Sequence, residues 1–131
     1  MTNFRLQIIT PERSFFDKEA YMVEFNTTEG EIGVYANHIP LTTIIAPGVL
    51  TIRMDGEIKE AALHSGFVEI LPDQVTIMAE TIEWPEEIDI TRANEALDRA
   101  KNRIATNLSD TDAARAQTAL HRAMARLALK K

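Results

Sequence analysis

The apolar residues of this chain change their spacing near residue 85, and this change limits what the chain can fold into. Between Phe4 and Glu80 they recur at a period near two, β-branched and aromatic residues are frequent, and Gly or Pro closes each short run. After Ile88 the spacing lengthens to three and four residues, which is typical of amphipathic helices. We therefore predict an α+β chain in two parts, an N-terminal antiparallel β-sandwich or flattened barrel followed by a C-terminal antiparallel two-helix hairpin.

Turn residues set the boundaries within and between the two parts. We assign the β-sandwich to residues 1–84, a linker to residues 85–87 and the helical hairpin to residues 88–131. The predicted strands are Phe4–Thr10, Tyr21–Thr27, Gly48–Met54, Glu57–His64, Gly66–Leu71 and Gln74–Glu80. Two turn dipeptides, Asp55-Gly56 and Pro72-Asp73, indicate that the last four of these strands form hairpins.

Alanine dominates the apolar stripes of the two predicted helices. The stripes are Ala93, Ala96, Leu97, Ala100 and Ile104, then Ala113, Ala116, Leu120, Ala123 and Leu127. Residues 107–110 interrupt the pattern, and Asp110 or Thr111 is expected to cap the second helix. Because alanine buries little apolar surface, at about 25 cal/mol per Å² the hairpin gains only a few kcal/mol from closure. We therefore expect a movable appendage with a weak preference for the folded-up form.

Composition and spacing exclude or disfavour several classes of protein. The chain has no cysteine, which excludes disulfides and thiolate metal sites. No apolar run approaches the roughly 18 residues that span a bilayer, and no signal peptide is apparent, so we expect a soluble protein on the cytoplasmic side. The dispersed His38, His64 and His121 argue against a metal site, and no spacing indicates a nucleophile with its base. An enzymatic role is therefore disfavoured.

The net charge of −6 hides an asymmetry between the two parts. Residues 1–87 hold 5 Lys or Arg against 15 Asp or Glu, whereas residues 88–131 hold 9 against 5. Such a split indicates two segments with different partners, or a basic tail that lies on an acidic body. Nucleic acid is disfavoured as a ligand of the whole protein, because the larger part would repel it.

Arginines follow Asp89 in a row on the first predicted helix, and the second helix repeats the row. The two rows are Arg92, Arg99 and Arg103, then Arg115, Arg122 and Arg126. At about 100° per residue, steps of seven and four residues keep each row on one side of its helix. Gathering guanidinium groups at one seam costs repulsion unless an anion lies there, and a polyphosphate accepts bidentate contacts from arginine. The spacing therefore favours a polyphosphate between the helices but does not require one.

Simpler readings of these residues stay open. Asp89 can be an N-cap that accepts a backbone N–H, and surface arginines are usually solvated or weakly paired, as Glu95 with Arg99 would be. Trp84 is expected to pack at the junction, with stacking on a base as the alternative. The sequence contains neither GxxxxGK[ST] nor GxGxxG, so side chains would hold any nucleotide without the machinery for hydrolysis.

Two stretches of the strand-rich part resemble the epsilon subunit of F-type ATP synthase. They are Thr28–Leu41, which reads TEGEIGVYANHIPL, and Ser65–Ile70 followed by Val75–Glu80. The resemblance covers essentially the whole chain in order, including the two-helix tail, and the combination is specific. It implies a non-catalytic rotor subunit of a proton-translocating ATP synthase, peripheral on the cytoplasmic face of the cell membrane.

The resemblance also implies partners for each part. The sandwich would bind the gamma subunit and sit on the membrane-embedded ring of c subunits. The run Glu31–Leu41 would be a loop that faces this ring, with Glu31, Tyr35, His38 and Ile39 as contacts. The hairpin would inhibit ATP hydrolysis by extending along gamma toward the alpha and beta subunits.

A nucleotide site follows from the same resemblance. Some bacterial members bind ATP in the folded hairpin through Ile or Leu, Asp, two variable residues, Arg and Ala, and Ile88–Ala93 matches this motif fully. The implied ATP contacts are Glu83, Ile88, Asp89, Arg92, Ala93, Arg99, Arg122 and Arg126. ATP would be a regulatory ligand that favours the compact hairpin through its differential affinity for the two forms. Whether Mg²⁺ accompanies the nucleotide stays open, although a side-chain site of arginines needs no metal for charge balance.

Two other functions compete with the rotor role. One is a stand-alone ATP-sensing module that uses the hairpin without any rotor, and co-purification with gamma separates the two. The other is an enzyme of an unrecognised type, which is disfavoured because no acid, base or nucleophile converges.

Overall fold

A computed structural model describes residues 2–106 and 109–129 and shows a strand-rich body followed by two helices. The strands are β1 (Phe4–Ile9), β2 (Ser14–Ala20), β3 (Met22–Thr27), β4 (Gly30–Tyr35), β5 (Leu41–Ile45), β6 (Gly48–Met54), β7 (Glu57–Ile70) and β8 (Gln74–Glu83). A 3-10 turn at Pro85–Glu87 leads into α1 (Ile90–Ala105) and α2 (Asp110–Leu129). This order confirms the predicted α+β architecture. The centre of the predicted helix break, residues 107–108, lies outside the described residues.

The strands pair into one sheet that folds over itself. The order is β2-β1-β8-β7-β5-β3-β4, and β6 pairs with both β3 and β7. All pairs are antiparallel except that of β1 with β8, which is parallel. The sheet folds over itself at β7, because the first half of this strand pairs with β6 and the second half with β5.

One apolar core fills the space between the layers of the sheet. Because strand side chains alternate between two faces, β1 buries Phe4, Leu6 and Ile8 and exposes Arg5. Each fully buried side chain of this size contributes about 1.5–3 kcal/mol. The core therefore gives the strand-rich part a rigid frame on which the helices can rest.

Trp84 anchors the junction between the two parts. Its indole stacks on Phe15, with ring centroids 4.2 Å apart, which confirms the predicted packing role. The backbone N–H of Trp84 donates to the Glu87 carboxylate over 2.9 Å, and Arg13 donates to the same carboxylate over 2.9 Å. Arg13 first, and this N–H second, lower the pKa of Glu87 below its usual value. These contacts fix the direction in which the chain enters α1.

Three strands were not predicted, and the predicted loop Glu31–Leu41 was wrong in its extent. The sequence of β2 hides its strand character because Phe15 and Phe16 are adjacent and both buried, which breaks the alternation. The missed β4 contains two glycines and runs to Tyr35, and the missed β5 begins at Leu41. Only residues 36–40 form a loop.

Two predicted strands, Glu57–His64 and Gly66–Leu71, are one continuous strand of 14 residues. Gly66 makes this continuity possible with a φ of +153°. A Cβ at this position would lie 2.2 Å from the carbonyl oxygen of Met78, so only glycine fits. The neighbouring residues keep their pairing with β8, and Ser65 stays beside His64 on the surface that α2 approaches.

The two helices form the predicted hairpin, and α2 packs along β6 and β7. Asp89 caps α1, because its carboxylate accepts the backbone N–H of Arg92 over 3.1 Å. At the start of α2 the Ser109 hydroxyl accepts the N–H of Asp112, so Ser109 replaces the predicted caps Asp110 and Thr111. The buried helix residues are all alanines: Ala93, Ala100, Ala116, Ala123 and Ala125. In the described part of the chain, no helix has the length and apolar character required to cross a membrane.

Candidate functional site

A cavity of about 240 Å³ lies where the end of β8, the first three turns of α1 and the end of α2 meet. We call it the arginine cavity, and its lining residues are Glu83, Asp89, Arg92, Ala93, Ala96, Arg99 and Arg126. Three guanidinium groups face two carboxylates, so the lining carries an excess of positive charge. The alanines are short enough to leave space between the helices. The arrangement is therefore suited to an anion.

The α1 side of the arginine cavity is built by the first three turns of that helix. Asp89 is both the N-cap of α1 and a wall of the cavity. Arg92 and Arg99 are exposed and stand two turns apart on the same helix side. Because the cap fixes the first turn, it also fixes where the Arg92 side chain starts. The N-cap reading of Asp89 and its place in the cavity are thus compatible.

The α2 side of the arginine cavity is fastened to the sheet through Glu83. Arg126 Nε donates to Glu83 Oε1 over 2.6 Å, and His64 Nε2 lies 3.1 Å from the same oxygen. The Arg126 and Glu83 side chains are 27% and 24% exposed. This partly buried triad joins β7, β8 and α2 and is a polar contact between the hairpin and the body.

His64 is the buried member of this triad, and the sequence analysis did not assign it to a site. It is fully buried, and burial first, then the charge of Arg126, lower its pKa to about 4, although Glu83 opposes the shift. The imidazole is therefore neutral near pH 7, and Nε2 carries the proton that Glu83 accepts. Its Nδ1 is buried without a hydrogen-bond partner. One signal pointed to it: His64 directly follows the apolar run Ala61–Leu63 in a strand.

Two of the predicted ATP contacts lie outside the arginine cavity. Arg122 Nη2 donates to Ser65 Oγ over 3.0 Å and lies 3.6 Å from Glu80 Oε2, and its Nε is buried without a hydrogen-bond partner. Ile88 is buried in front of α1, where it holds the chain without lining the cavity. The other six predicted contacts, Glu83, Asp89, Arg92, Ala93, Arg99 and Arg126, come together. Arg103 and Arg115, which belong to the predicted rows, are exposed and do not line the cavity.

The predicted ring contacts lie on β4 and in the loop that follows it. Glu31 is an exposed residue of β4, and Tyr35 at its end is 57% exposed. Ile39 is 80% exposed, whereas His38 is half-buried with Nδ1 2.7 Å from the carbonyl oxygen of Ile39. The exposed side chains Tyr35, Ile39, Leu41 and Leu71 form what we call the apolar tip. Within this apolar tip, the loop after β4 is joined to the turn after β7, because the backbone N–H of Asn37 donates to the carbonyl of Pro72.

No metal site emerges from the side chains that the structure describes. Within residues 2–106 and 109–129, no three His, Asp or Glu side chains are grouped so that they could hold a metal ion. The histidines are each engaged separately. His64 lies against Glu83, His38 against a backbone carbonyl, and His121 against Gln117.

Comparison with known sequences places both parts of the chain in one family. The family description "ATP synthase, Delta/Epsilon chain, beta-sandwich domain" matches residues 3–85, and "ATP synthase, Delta/Epsilon chain, long alpha-helix domain" matches residues 86–131. The ATP synthase epsilon chain of Ruminiclostridium cellulolyticum is 46% identical over 127 residues, which cover 97% of this chain and 95% of that relative. The epsilon chain of Caldanaerobacter subterraneus is 44% identical over 125 residues, 95% of this chain and 91% of the relative.

Solved structures share the fold. A chain of the Euglena gracilis mitochondrial ATP synthase, solved as OSCP/F1/c-ring, superposes with a TM-score of 0.83 at 22% identity, covering 96% of this chain and 80% of that one. A chain of the Tetrahymena thermophila central stalk and c-ring gives 0.70 at 13% identity, covering 99% and 98%. At such identities these likenesses concern the fold alone. Since the two family matches together span residues 3–131, this chain belongs to the ATP synthase delta/epsilon chain family.

Proposed function

We propose that this chain is the non-catalytic epsilon subunit in the central stalk of a bacterial F-type ATP synthase, and that ATP bound in the arginine cavity holds its hairpin compact. The released hairpin would inhibit ATP hydrolysis, so ATP would control the inhibitor. The observation that carries this proposal is that guanidinium groups from both helices line one cavity against the sheet. Family membership supports the rotor role.

Charge is the first argument for ATP as the ligand. Arg92, Arg99 and Arg126 repel one another across the cavity, and Glu83 and Asp89 offset only part of that repulsion. Asp89 is already engaged as a helix cap, and Glu83 accepts from Arg126 and His64. The triphosphate of ATP would supply the missing negative charge and accept bidentate hydrogen bonds from guanidinium groups. The same contacts offset part of the charge of ATP without requiring Mg²⁺.

Size is the second argument. The arginine cavity, at about 240 Å³, is smaller than the roughly 300–1,000 Å³ of ordinary ligand pockets. We infer that the phosphates enter between the helices, while the nucleoside lies at the mouth. Such a ligand touches β8, α1 and α2 together, so it favours the compact hairpin over any form in which these elements separate.

Weak packing of the hairpin is the third argument, because a ligand shifts an equilibrium only when its alternative is close in free energy. The buried helix residues are alanines, which contribute little apolar area. Release of the hairpin would expose basic helices, which fits an extended form that lies against acidic surfaces of the alpha and beta subunits. When ATP falls, that form would block hydrolysis.

The apolar tip favours a rotor subunit over a stand-alone ATP sensor. A stand-alone sensor would leave the apolar tip exposed to water, whereas a ring of c subunits in the membrane would cover it. The chain would then lie peripherally on the cytoplasmic face of the membrane and bind gamma through its sandwich. A rotor subunit should co-purify with gamma from the membrane fraction. Ile39→Asp should weaken its association with the ring of c subunits without unfolding the chain, since Ile39 is 80% exposed.

Calorimetric titration of ATP into the isolated chain tests the nucleotide site. Arg92→Ala and Arg126→Ala each remove a charged hydrogen-bond donor worth about 1.5–3 kcal/mol, so the affinity should fall about 10- to 150-fold. Arg103→Ala is the matched control, because this arginine lies on the same helix outside the cavity. Titrations with Mg²⁺ and with a chelator should give similar affinities. Equal affinity in the wild type and both cavity variants would discard the site.

A further inference from the structure

We propose that His64 is a positioning residue that makes docking of the hairpin sensitive to pH: the neutral imidazole holds Glu83 for Arg126, and proton uptake releases α2. This rests on the two hairpin forms of the proposed function, but not on ATP being the ligand that favours one of them. His64 belongs to the sheet and is part of neither the helix cap nor the two rows of arginines, so the sequence motif does not include it. It is assigned by its buried place within the triad.

The geometry makes Glu83 Oε1 a shared acceptor. His64 Nε2 and Arg126 Nε lie 3.1 Å and 2.6 Å from this one oxygen, on opposite sides of the boundary between sheet and helix. The neutral imidazole orients the carboxylate without competing for its charge. Because His64 is fully buried, it cannot turn away to solvent while the hairpin is docked. Its hydrogen bond therefore sets the direction in which Glu83 meets Arg126.

The charges around His64 disfavour a proton on it in the compact form. From α2, Arg126 and Arg122 face it; from β8, Glu83 lies against it, and Glu80 is engaged by Arg122 at 3.6 Å. Asp89, Arg92 and Arg99 of α1 share the arginine cavity with Glu83, and Arg53 of β6 is paired with Glu24. Burial and the two α2 arginines outweigh Glu83, which lowers the pKa of His64 to about 4.

Release of the hairpin removes these causes together. When α2 leaves, Arg122 and Arg126 leave with it, and this stretch of β7 meets water. Glu83 and Glu80 stay behind on β8, so the pKa of His64 should return to its ordinary value of 6.5 or above. The released form then binds a proton at a pH where the compact form does not.

The sign of the pH effect follows from this difference. Well above the ordinary pKa of 6.5, His64 is neutral in both forms, and pH has no effect through this group. As pH falls from 6.5 toward 4, only the released form takes up the proton, so the ratio of compact to released molecules declines. At pH 5.5 the expected decline is about tenfold. Acidification therefore favours the form in which the hairpin leaves the sheet.

Single-molecule energy transfer in the nucleotide-free protein can measure this ratio. Dyes attached to cysteines introduced at the exposed Glu57 and Lys101 report on the distance between the sheet and α1, and the chain has no native cysteine. ATP is omitted because phosphate groups titrate at about pH 6, which would add a second pH response to that of His64. The wild-type ratio should fall about tenfold between pH 7.5 and pH 5.5, and His64→Gln, which still donates to Glu83 but does not titrate, should change less than about twofold.

His121→Gln is the matched control, because His121 is an exposed histidine on α2 that lies against Gln117. This variant should keep the wild-type pH response. An equal response in His64→Gln and the wild type would overturn the proposal. If the Gln variant fails to dock at all, NMR titration of the wild-type imidazole decides: a pKa below about 5 supports the proposal, and one near 6.5 in the docked protein refutes it. ATP binding at pH 7.5 is a separate measurement, so a failed nucleotide site and a failed pH response can be told apart.

Discussion

Replacing Arg126 by Ala removes the cation that fastens the end of α2 to the sheet. Its Nε lies 2.6 Å from Glu83 Oε1, and the two side chains are 27% and 24% exposed. A charged hydrogen bond contributes about 1.5–3 kcal/mol, and solvent screening at this exposure reduces the expected loss to about 1–2 kcal/mol. The ratio of compact to released hairpin should therefore fall about 5- to 30-fold. Energy transfer between dyes on cysteines introduced at Glu57 and Lys101, without nucleotide, measures this ratio.

The same substitution should change the titration of His64. After burial, the charge of Arg126 is the largest cause that holds the pKa of His64 at about 4. In Arg126→Ala this pKa should rise toward 6.5, which NMR of the imidazole can follow. A double-mutant cycle with Glu83→Gln should yield a coupling free energy of about 1 kcal/mol between the two side chains. An unchanged ratio together with an unchanged His64 titration would show that this contact does not hold the hairpin.

Three further substitutions test the fold and the site. Gly66→Ala should lower the free energy of unfolding by about 2 kcal/mol or more in denaturant melts, because a Cβ would meet the Met78 carbonyl. Gly33→Ala should cost less, because the Cβ there would meet the flexible end of a methionine. Equal losses in the two variants would contradict this account. Asp89→Ala should weaken hairpin docking by about 1 kcal/mol, whereas Asp89→Asn should retain the cap; a loss in both would assign the effect to charge instead. Arg122→Ala should weaken docking of the hairpin less than Arg126→Ala does, because Glu80, the partner of Arg122, is 67% exposed and 3.6 Å away. A larger loss in Arg122→Ala would refute this ranking of the two contacts.

Local patterns in the sequence predicted much of the fold and of the site. The change of period near residue 85 predicted the two parts, and the spacing of seven residues placed Arg92 and Arg99 on one side of α1. Asp89 after a proline and two acids indicated a helix start, and the structure shows it as the N-cap. These features were readable because each depends on residues that are close in the chain.

Features that depend on long-range pairing were missed. The strand β2 has adjacent buried phenylalanines, and its pairing with β1 shifts register at Ile8/Ile9. Arg122 was expected beside Arg126 at one seam, but Ser65 and Glu80 of the sheet draw it away. His64 entered the sequence analysis only as one of three dispersed histidines. Its importance arises from Arg126, which lies 62 residues later in the chain and approaches Glu83 only when α2 packs on β7.

The central claim is that ATP in the arginine cavity favours the compact hairpin. Titrating ATP at pH 7.5 into the protein labelled at Glu57 and Lys101 tests it most directly. At 100 times the dissociation constant, the account predicts a shift of about 2.7 kcal/mol toward the compact form, weakened in Arg92→Ala and retained in Arg103→Ala. An unchanged distance distribution at ATP concentrations that saturate binding would contradict the account.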